Sequence, residues 1–229
     1  MNLDVIVANL PKLAQGAALT LELVALSLIA GAAIALPLAL MRVSERGWLR
    51  LPAYAYIFVF RGTPLLVQIF LVYYGLGQFE GVRASALWPI LREPYWCAII
   101  AFALNTGAYT AEILRGAIQA VPVGEVEAAN AFGMSRALSL RRIILPRAVR
   151  IALPAYGNEV ILMLKGSALA STITLLDLTG MARTIIARTY MPVEIFLAAG
   201  LIYLAITFVF VQLFRLLERR LSRHVAAAH

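Results

Sequence analysis

The chain has 229 residues, 62% of them hydrophobic and 14% charged, with a mean hydropathy of +0.85 and a net charge of +8. A soluble domain carries about a quarter charged residues, so this chain has too little polar surface to stay dissolved and its solvent must be largely lipid. The basic excess does not indicate nucleic acid, because the cations sit mainly in short segments between apolar runs and no basic stripe is interleaved with stacking aromatics.

A single cysteine, Cys97, excludes an intramolecular disulfide and cannot by itself build a Cys-based metal site. His224 and His229 are both in the C-terminal tail, so no histidine cluster is expected in the membrane, and neither metal nor cofactor is expected in this chain. The N-terminal MNLDVIVANLPKLAQG lacks the basic segment and small-residue cleavage site of a secretory signal, so the first apolar run is expected to be retained.

Crossing a bilayer takes about 20 apolar residues at 1.5 Å rise each. Five stretches meet that length, and the expected fold is an all-α membrane protein with one transmembrane domain spanning 1–229. The first, 13–41, contains Glu22, placed near an outer edge, and Gly31, read as a close-packing point. The second, 52–76, contains Arg61 a few turns from one end, followed by Gly62, another expected packing point. The polar loop 77–94 follows, with Trp88 as an interfacial anchor. In the third, 95–116, Asn105, Tyr109 and Glu112 are spaced i, i+4, i+7 and share a face, and Gly107 is a third packing point. Arg61 and Glu112 are expected to form an interhelical ion pair that holds the bundle together.

The segment 116–148, which makes up most of the loop 117–150, reads GAIQAVPVGEVEAANAFGMSRALSLRRIILPRA. Pro122 suits a helix start, and Glu125 and Glu127 fall in a first turn where carboxylates complement the helix dipole. Gly133 fits just past the helix end, and a second short helix is expected from Leu138 to a stop at Pro146. The helix–Gly–helix element would present Ala128, Ala129 and Phe132, two small residues and one aromatic anchor, to a partner.

The fourth stretch, 151–169, is the least hydrophobic, with Asn158, Glu159 and Lys165 inside it. Asn158 and Lys165 are seven apart and share a face, with Glu159 turned about 100° away. A charge in the bilayer costs several kcal/mol unless it is paired or wet. These three residues, with Ser167 and Asn105, are therefore candidates for a substrate path, and Pro154 and Gly157 are expected to loosen the backbone before Asn158. The fifth stretch is 193–214.

Thirteen Lys and Arg residues fall on one side of these spans (in 42–50, 115–150 and 215–223) and five on the other, namely Lys12, Arg83, Arg92, Arg183 and Arg188. The positive-inside rule then puts the N-terminus outside and the C-terminus in the cytoplasm. The chain contains no G-x-x-x-x-G-K-[ST] and no Gly-Lys pair, so it has no P-loop with which to bind nucleotide itself. A self-sufficient secondary transporter or channel, or a structural membrane anchor, are the alternatives to a subunit driven by a partner.

EVEAANAFGMSRALSLRRIILPRA resembles the EAA loop of permeases from binding-protein-dependent ATP-driven importers. The pattern matches at Glu127-Ala128-Ala129, Gly133 and Ile143-Ile144-Leu145-Pro146. FRGTPLLVQIF, NTGAYTAEILRGAIQAVP and ALPAYGNEVILMLKGSALAS extend the resemblance along nearly the whole chain, to the histidine- and octopine-type branch. The resemblance implies a type I importer permease fold with five spans in the bacterial inner membrane. It implies two ATP-binding subunits that hold the ATP, a second permease subunit and a periplasmic solute-binding protein. It also implies that the EAA loop, with Glu127, Ala128, Ala129, Phe132 and Gly133, docks on the ATPase subunit, and that the substrate is a basic amino acid or opine. The chain has Lys165-Gly166-Ser167-Ala168-Leu169 where many amino-acid permeases read Lys-Asp-Thr-Ser-Leu.

Overall fold

The computed structural model describes residues 3–222, so Arg223, His224 and His229 lie outside the described residues, as does the C-terminus itself. Among the described residues every regular element is helical. Helix α1, Leu3–Val43, has 41 residues, about 60 Å at 1.5 Å per residue, twice the roughly 30 Å hydrocarbon core. It runs well beyond the N-terminal edge expected at residue 13.

The stretch 52–76, expected as one span, is two limbs. Helix α2, Gly47–Gly62, stops because Pro64 has no N–H to donate and forces its predecessor out of the helical region. Thr63 accordingly lies at φ −112°, ψ 145°. Helix α3, Leu65–Phe70, then continues through a π turn, Leu71–Gly75, and a 3-10 turn, Leu76–Gln78, at 105° to α2. The short helices α4, Glu80–Arg83, and α5, Trp88–Leu91, occupy the expected outer loop, where Trp88 covers Gly77.

Helix α6, Pro94–Gln119, opens on a proline in its first turn, the one place where the missing N–H costs nothing. It is the most enclosed of the long helices, buried over 67% of its apolar window. Helices α7, Val123–Ala131, and α8, Arg136–Ser139, follow; a π turn, Leu140–Ile144, then leads without a stop into α9, Leu145–Gly166. Pro146 therefore does not end a helix: it sits in the first turn of α9, where proline is tolerated. Nor do Pro154 and Gly157 interrupt α9. Gly157 is a packing point instead, since a Cβ there would lie 2.9 Å from the Phe214 ring. The interruption comes later, in a 3-10 segment, Ser167–Ile173, ended by Thr174 at φ 71°. Asp177 caps α10, Leu178–Thr189, accepting from the Thr179 and Gly180 amides, and α11, Pro192–Ser222, completes the chain.

Among the described residues three helices (α1, α6 and α11) are each long and apolar enough to cross a membrane, and five spans result if each of two bent pairs counts as one. The other bent pair runs from Arg136 to Ile173 and from Leu178 to Thr189, with a 49° bend.

Helix α6 meets α1 backbone to backbone. A Cβ on Gly31 would lie 2.4 Å from Thr106 Cγ2, and one on Gly107 3.2 Å from Ile34 Cγ2. Small residues at a crossing let backbones approach, which is how helices gain packing energy where lipid supplies no hydrophobic drive. Gly62, expected to do the same, faces open space at the α2–α3 break. Around this crossing Leu23, Val24, Phe102, Met163 and Leu164 form the main core, and Leu13, Leu178 and Ile195 a second one between α1, α10 and α11.

Candidate functional site

Two features of the fold carry chemistry: the loop between α6 and α9, and a seam of polar side chains around the middle of α6. In the loop, α7 ends in a Schellman arrangement. The Met134 amide donates to Ala129 O and the Gly133 amide to Asn130 O, 3.0 and 2.9 Å, with Gly133 at φ 74°. The expected left-handed glycine is therefore present. Phe132 stands 87% exposed at the tip, with Glu127 and Ala128 also exposed. Ala129 corrects the expectation, because it turns inward and is only 4% exposed. The loop is braced from beneath: Glu125 pairs with Arg147 at 3.2 Å, and Val126 packs with Ala117, Val121 and Ala148.

In the seam, Asn105 does not face an open path. It is bound into the α2–α3 break, and the proline explains why. Pro64 lacks the N–H that would satisfy Phe60 O, so Gln68 Nε2 and Asn105 Nδ2 donate to that carbonyl instead, at 2.8 and 3.2 Å. Gln68 Nε2 also reaches Thr63 O and Thr63 Oγ1, and its Oε1 accepts from Asn105 at 2.9 Å. Thr63 Oγ1 donates back to Val59 O at 2.8 Å. The carbonyls of Val59, Phe60 and Thr63 at the break thus each find a side-chain donor, as backbone in lipid requires.

The expected pair of Arg61 with Glu112 is not formed. Glu112 binds Arg42 at 3.1 Å and Arg115 at 2.8 Å, while the Arg61 guanidinium lies over the Tyr109 ring, 5.1 Å from its centroid. Arg61 leaves α2 at its last turn, where Tyr109, one turn before Glu112 on α6, meets it first; Arg42 approaches Glu112 from α1. Glu22 is exposed, as expected, and its carboxylate accepts from Tyr95 Oη at 2.6 Å.

The α9 candidates separate onto different faces. Glu159 is 5% exposed and accepts from Thr106 Oγ1 at 2.9 Å across the α6–α9 contact. Asn158 and Lys165 are exposed, and neither pairs with Glu159. Ser167 is buried and spends its hydroxyl on Leu164 O at 2.7 Å, so its polarity is used within the turn. Sequence reasoning missed Gln68, Thr106 and Arg42. A lone amide in the apolar run LLVQIF was the available signal for the first. No group of His, Cys, Asp and Glu able to hold a metal ion occurs among the described residues.

A family model described as the binding-protein-dependent transport system inner membrane component matches residues 14–223. The chain belongs to that family. The permease is 57% identical over 206 residues to the octopine transport system permease protein OccM of Rhizobium meliloti, covering 90% of this chain and 84% of that protein. It is 51% identical to the nopaline transport system permease protein NocM of Agrobacterium fabrum (strain C58 / ATCC 33970), covering 99% and 95%. It is 47% identical to the histidine/lysine/arginine/ornithine transport system permease protein HisM of Escherichia coli (strain K12), covering 92% and 89%. Its fold superposes on a chain from a crystal structure of an amino acid ABC transporter with histidines at a TM-score of 0.85, with 39% identity, covering 96% and 99%. A methionine ABC transporter in an inward-facing conformation shares the fold at 18% identity and a TM-score of 0.72, covering 91% and 95%.

The capping of the break is testable. Gln68→Leu leaves Thr63 O without its donor and Phe60 O with only the longer bond from Asn105, at about 1–3 kcal/mol per group left unpaired. Unfolding of the detergent-solubilised permease should show that loss. Asn105→Ala added to Gln68→Leu should cost less than Asn105→Ala alone, because the two side chains form one network. Additive losses would show that they act separately.

Proposed function

We propose that the permease is the membrane-spanning half of an ATP-driven importer for a polar, basic amino acid or opine of the histidine, arginine and octopine class. It works in the bacterial inner membrane with ATP-binding subunits that hold the ATP, a second permease subunit, identical or paralogous, and a periplasmic solute-binding protein. The observation that supports this most is the loop element itself: a family member carrying a braced helix with an aromatic at its tip that the described residues leave exposed. Phe132 supplies the anchor, with Glu127 and Ala128 beside it; Ala129 and Gly133 shape the element from within. Because Glu125–Arg147 and the apolar contacts tie α7 to α6 and α9, a push on Phe132 is transmitted to the helices that hold Thr106 and Glu159.

The arginine count argues that this loop faces the cytoplasm and that the loop 77–94, between α3 and α6, faces outward. In a Cys97→Ser background, a cysteine at Ala84 should react with an impermeant thiol reagent from outside the cell, and one at Ala137 only after permeabilisation. Both positions are exposed in the chain. The reverse pattern would overturn the orientation.

For coupling, truncation of an interface aromatic anchor costs 2 kcal/mol or more, about thirtyfold in affinity. Phe132→Ala should therefore weaken ATPase-subunit binding by about that factor and lower transport-stimulated ATP hydrolysis, while membrane insertion stays normal. Gly133→Val, which forces a β-branched residue into a left-handed conformation, should act in the same direction. Unchanged hydrolysis in both variants would sink the coupling role.

The substrate class draws on the octopine, nopaline and histidine-type transport named for its relatives, and on charge. Such molecules carry a cationic side chain and at least one carboxylate, and each needs a partner where water is scarce. Lys165 and Asn158 are exposed polar groups suited to a carboxylate, and Glu159 is the acid available to a guanidinium or ammonium when the α6–α9 seam parts. Glu159→Gln keeps an acceptor for Thr106 but removes the charge. It should selectively lower uptake of arginine-like substrates, with assembly and basal ATP hydrolysis unaffected. If arginine, histidine and octopine uptake all persist unchanged, Glu159 is a structural residue.

A further inference from the structure

The elbow joining α1 to α2 encloses an open cavity of about 460 Å³ lined by Arg42, Gly47, Arg50, Leu51 and Tyr54. We propose that this cavity binds the phosphate of an anionic glycerophospholipid. The inference depends on the chain lying in a membrane and reaches beyond its transport role.

Charge is the first reason. No acidic residue lines the cavity. Arg42 shares the single carboxylate of Glu112 with Arg115, so those three residues together keep a net positive charge. Arg50 is exposed and forms no ion pair with the described residues, and Glu45, the acid of the elbow, does not line the cavity. The second reason is preorganisation. Arg42 gives its Nε–H to Glu112, at 3.1 Å, and its guanidinium carbon lies over the Tyr54 ring, 5.0 Å from the centroid. The group is held from two sides while its Nη atoms donate to none of the described residues, leaving donors with which arginine binds phosphate oxygens in pairs.

The third reason separates a lipid from a free phosphate. The outward face of α2 beyond the cavity carries exposed Trp48, Leu51 and Phe58. Tryptophan concentrates at the headgroup level and the apolar residues beyond it suit acyl chains. A basic pocket between spanning helices beside such a strip is a headgroup site, whereas inorganic phosphate would make no use of the strip.

The full chain, purified and reconstituted in nanodiscs of phosphatidylcholine with a minor fraction of phosphatidylglycerol, tests this by native mass spectrometry. Wild type should retain phosphatidylglycerol in clear excess over its share of the nanodisc. Arg50→Gln should lower that enrichment by about fivefold. Gly47→Glu should abolish it: a Cβ at Gly47 meets nothing within 4 Å, so the variant adds a like charge without disturbing the packing. Arg42 is left intact because it also holds Glu112. Equal retention of the two lipids by wild type, or wild-type enrichment in both variants, would overturn the proposal. Displacement of the bound lipid by excess inorganic phosphate would overturn the assignment to a lipid. The readout is binding rather than uptake, so its failure leaves the importer function standing, and loss of uptake leaves this site standing.

Discussion

One turn of α6, residues 104–107, meets four different neighbours. Leu104 O accepts from Tyr56 Oη of α2 at 2.7 Å, and Asn105 closes the α2–α3 break through Phe60 O and Gln68. Thr106 holds Glu159 of α9, and Gly107 lies against Gly31 and Ile34 of α1. In lipid there is no water to satisfy a polar group that misses its partner, so each of these contacts depends on α6 sitting at one depth and one rotation. Gly31 sets that depth. A methyl group there would strike Thr106, the donor to Glu159, so the closeness of the α1 crossing and the satisfaction of the α9 carboxylate are one constraint.

This explains why the two breaks in the fold differ. The α2–α3 break is closed by side chains from two helices: Pro64 removes a donor to Phe60 O, Gln68 and Asn105 replace it, and Thr63 caps Val59 O beside it. It is a rigid corner. The α9–α10 break is closed by local bonds instead, the hydroxyls of Ser167, Ser171 and Thr172 each donating to the carbonyl three residues earlier, with Thr174 in a left-handed conformation. Thr20 of α1 then fastens its far end by accepting from the Leu178 amide. Local turn bonds can re-form one at a time, whereas the α2–α3 network must be given up as a whole. Relative motion between the limbs is therefore easier to accommodate at the α9–α10 break, on the helix that also carries the braced loop.

Much of the architecture was legible because it is written in local signals. The apolar run around α6, the proline opening α7 and the left-handed Gly133 all follow from neighbours in sequence, and the structure has each of them. What was not legible depends on partners far apart in the chain. Gly62 read as a packing glycine, yet it marks the corner, and the fate of Phe60 O depends on Asn105, 45 residues away. The Arg61–Glu112 pairing failed for a similar reason: matching depth is a one-dimensional argument, and the azimuth of Arg42 on α1 decided the contest. Helix α10 lies between the fourth and fifth stretches, where Arg183 and Arg188 interrupt the apolar pattern and only the cap at Asp177 signals a helix.

The separation of Glu159 from Lys165 changes what a charge in this membrane segment means. Two opposite charges seven residues or fewer apart suggest mutual neutralisation, which would cancel their cost and leave nothing for a substrate. Here they do not meet. Glu159 is enclosed and held by one hydroxyl, while Lys165 stands exposed at the last turn of α9, where a cation also favours the helix dipole. A lipid-facing lysine with no partner would be costly at that depth. Its exposed face is therefore better accounted for by a water-filled path or a second subunit than by acyl chains, and Asn158, exposed two turns earlier, extends the same polar stripe. A face better suited to acyl chains lies on α11, where Leu201, Leu204, Phe208 and Val209 are exposed together without a charge among them.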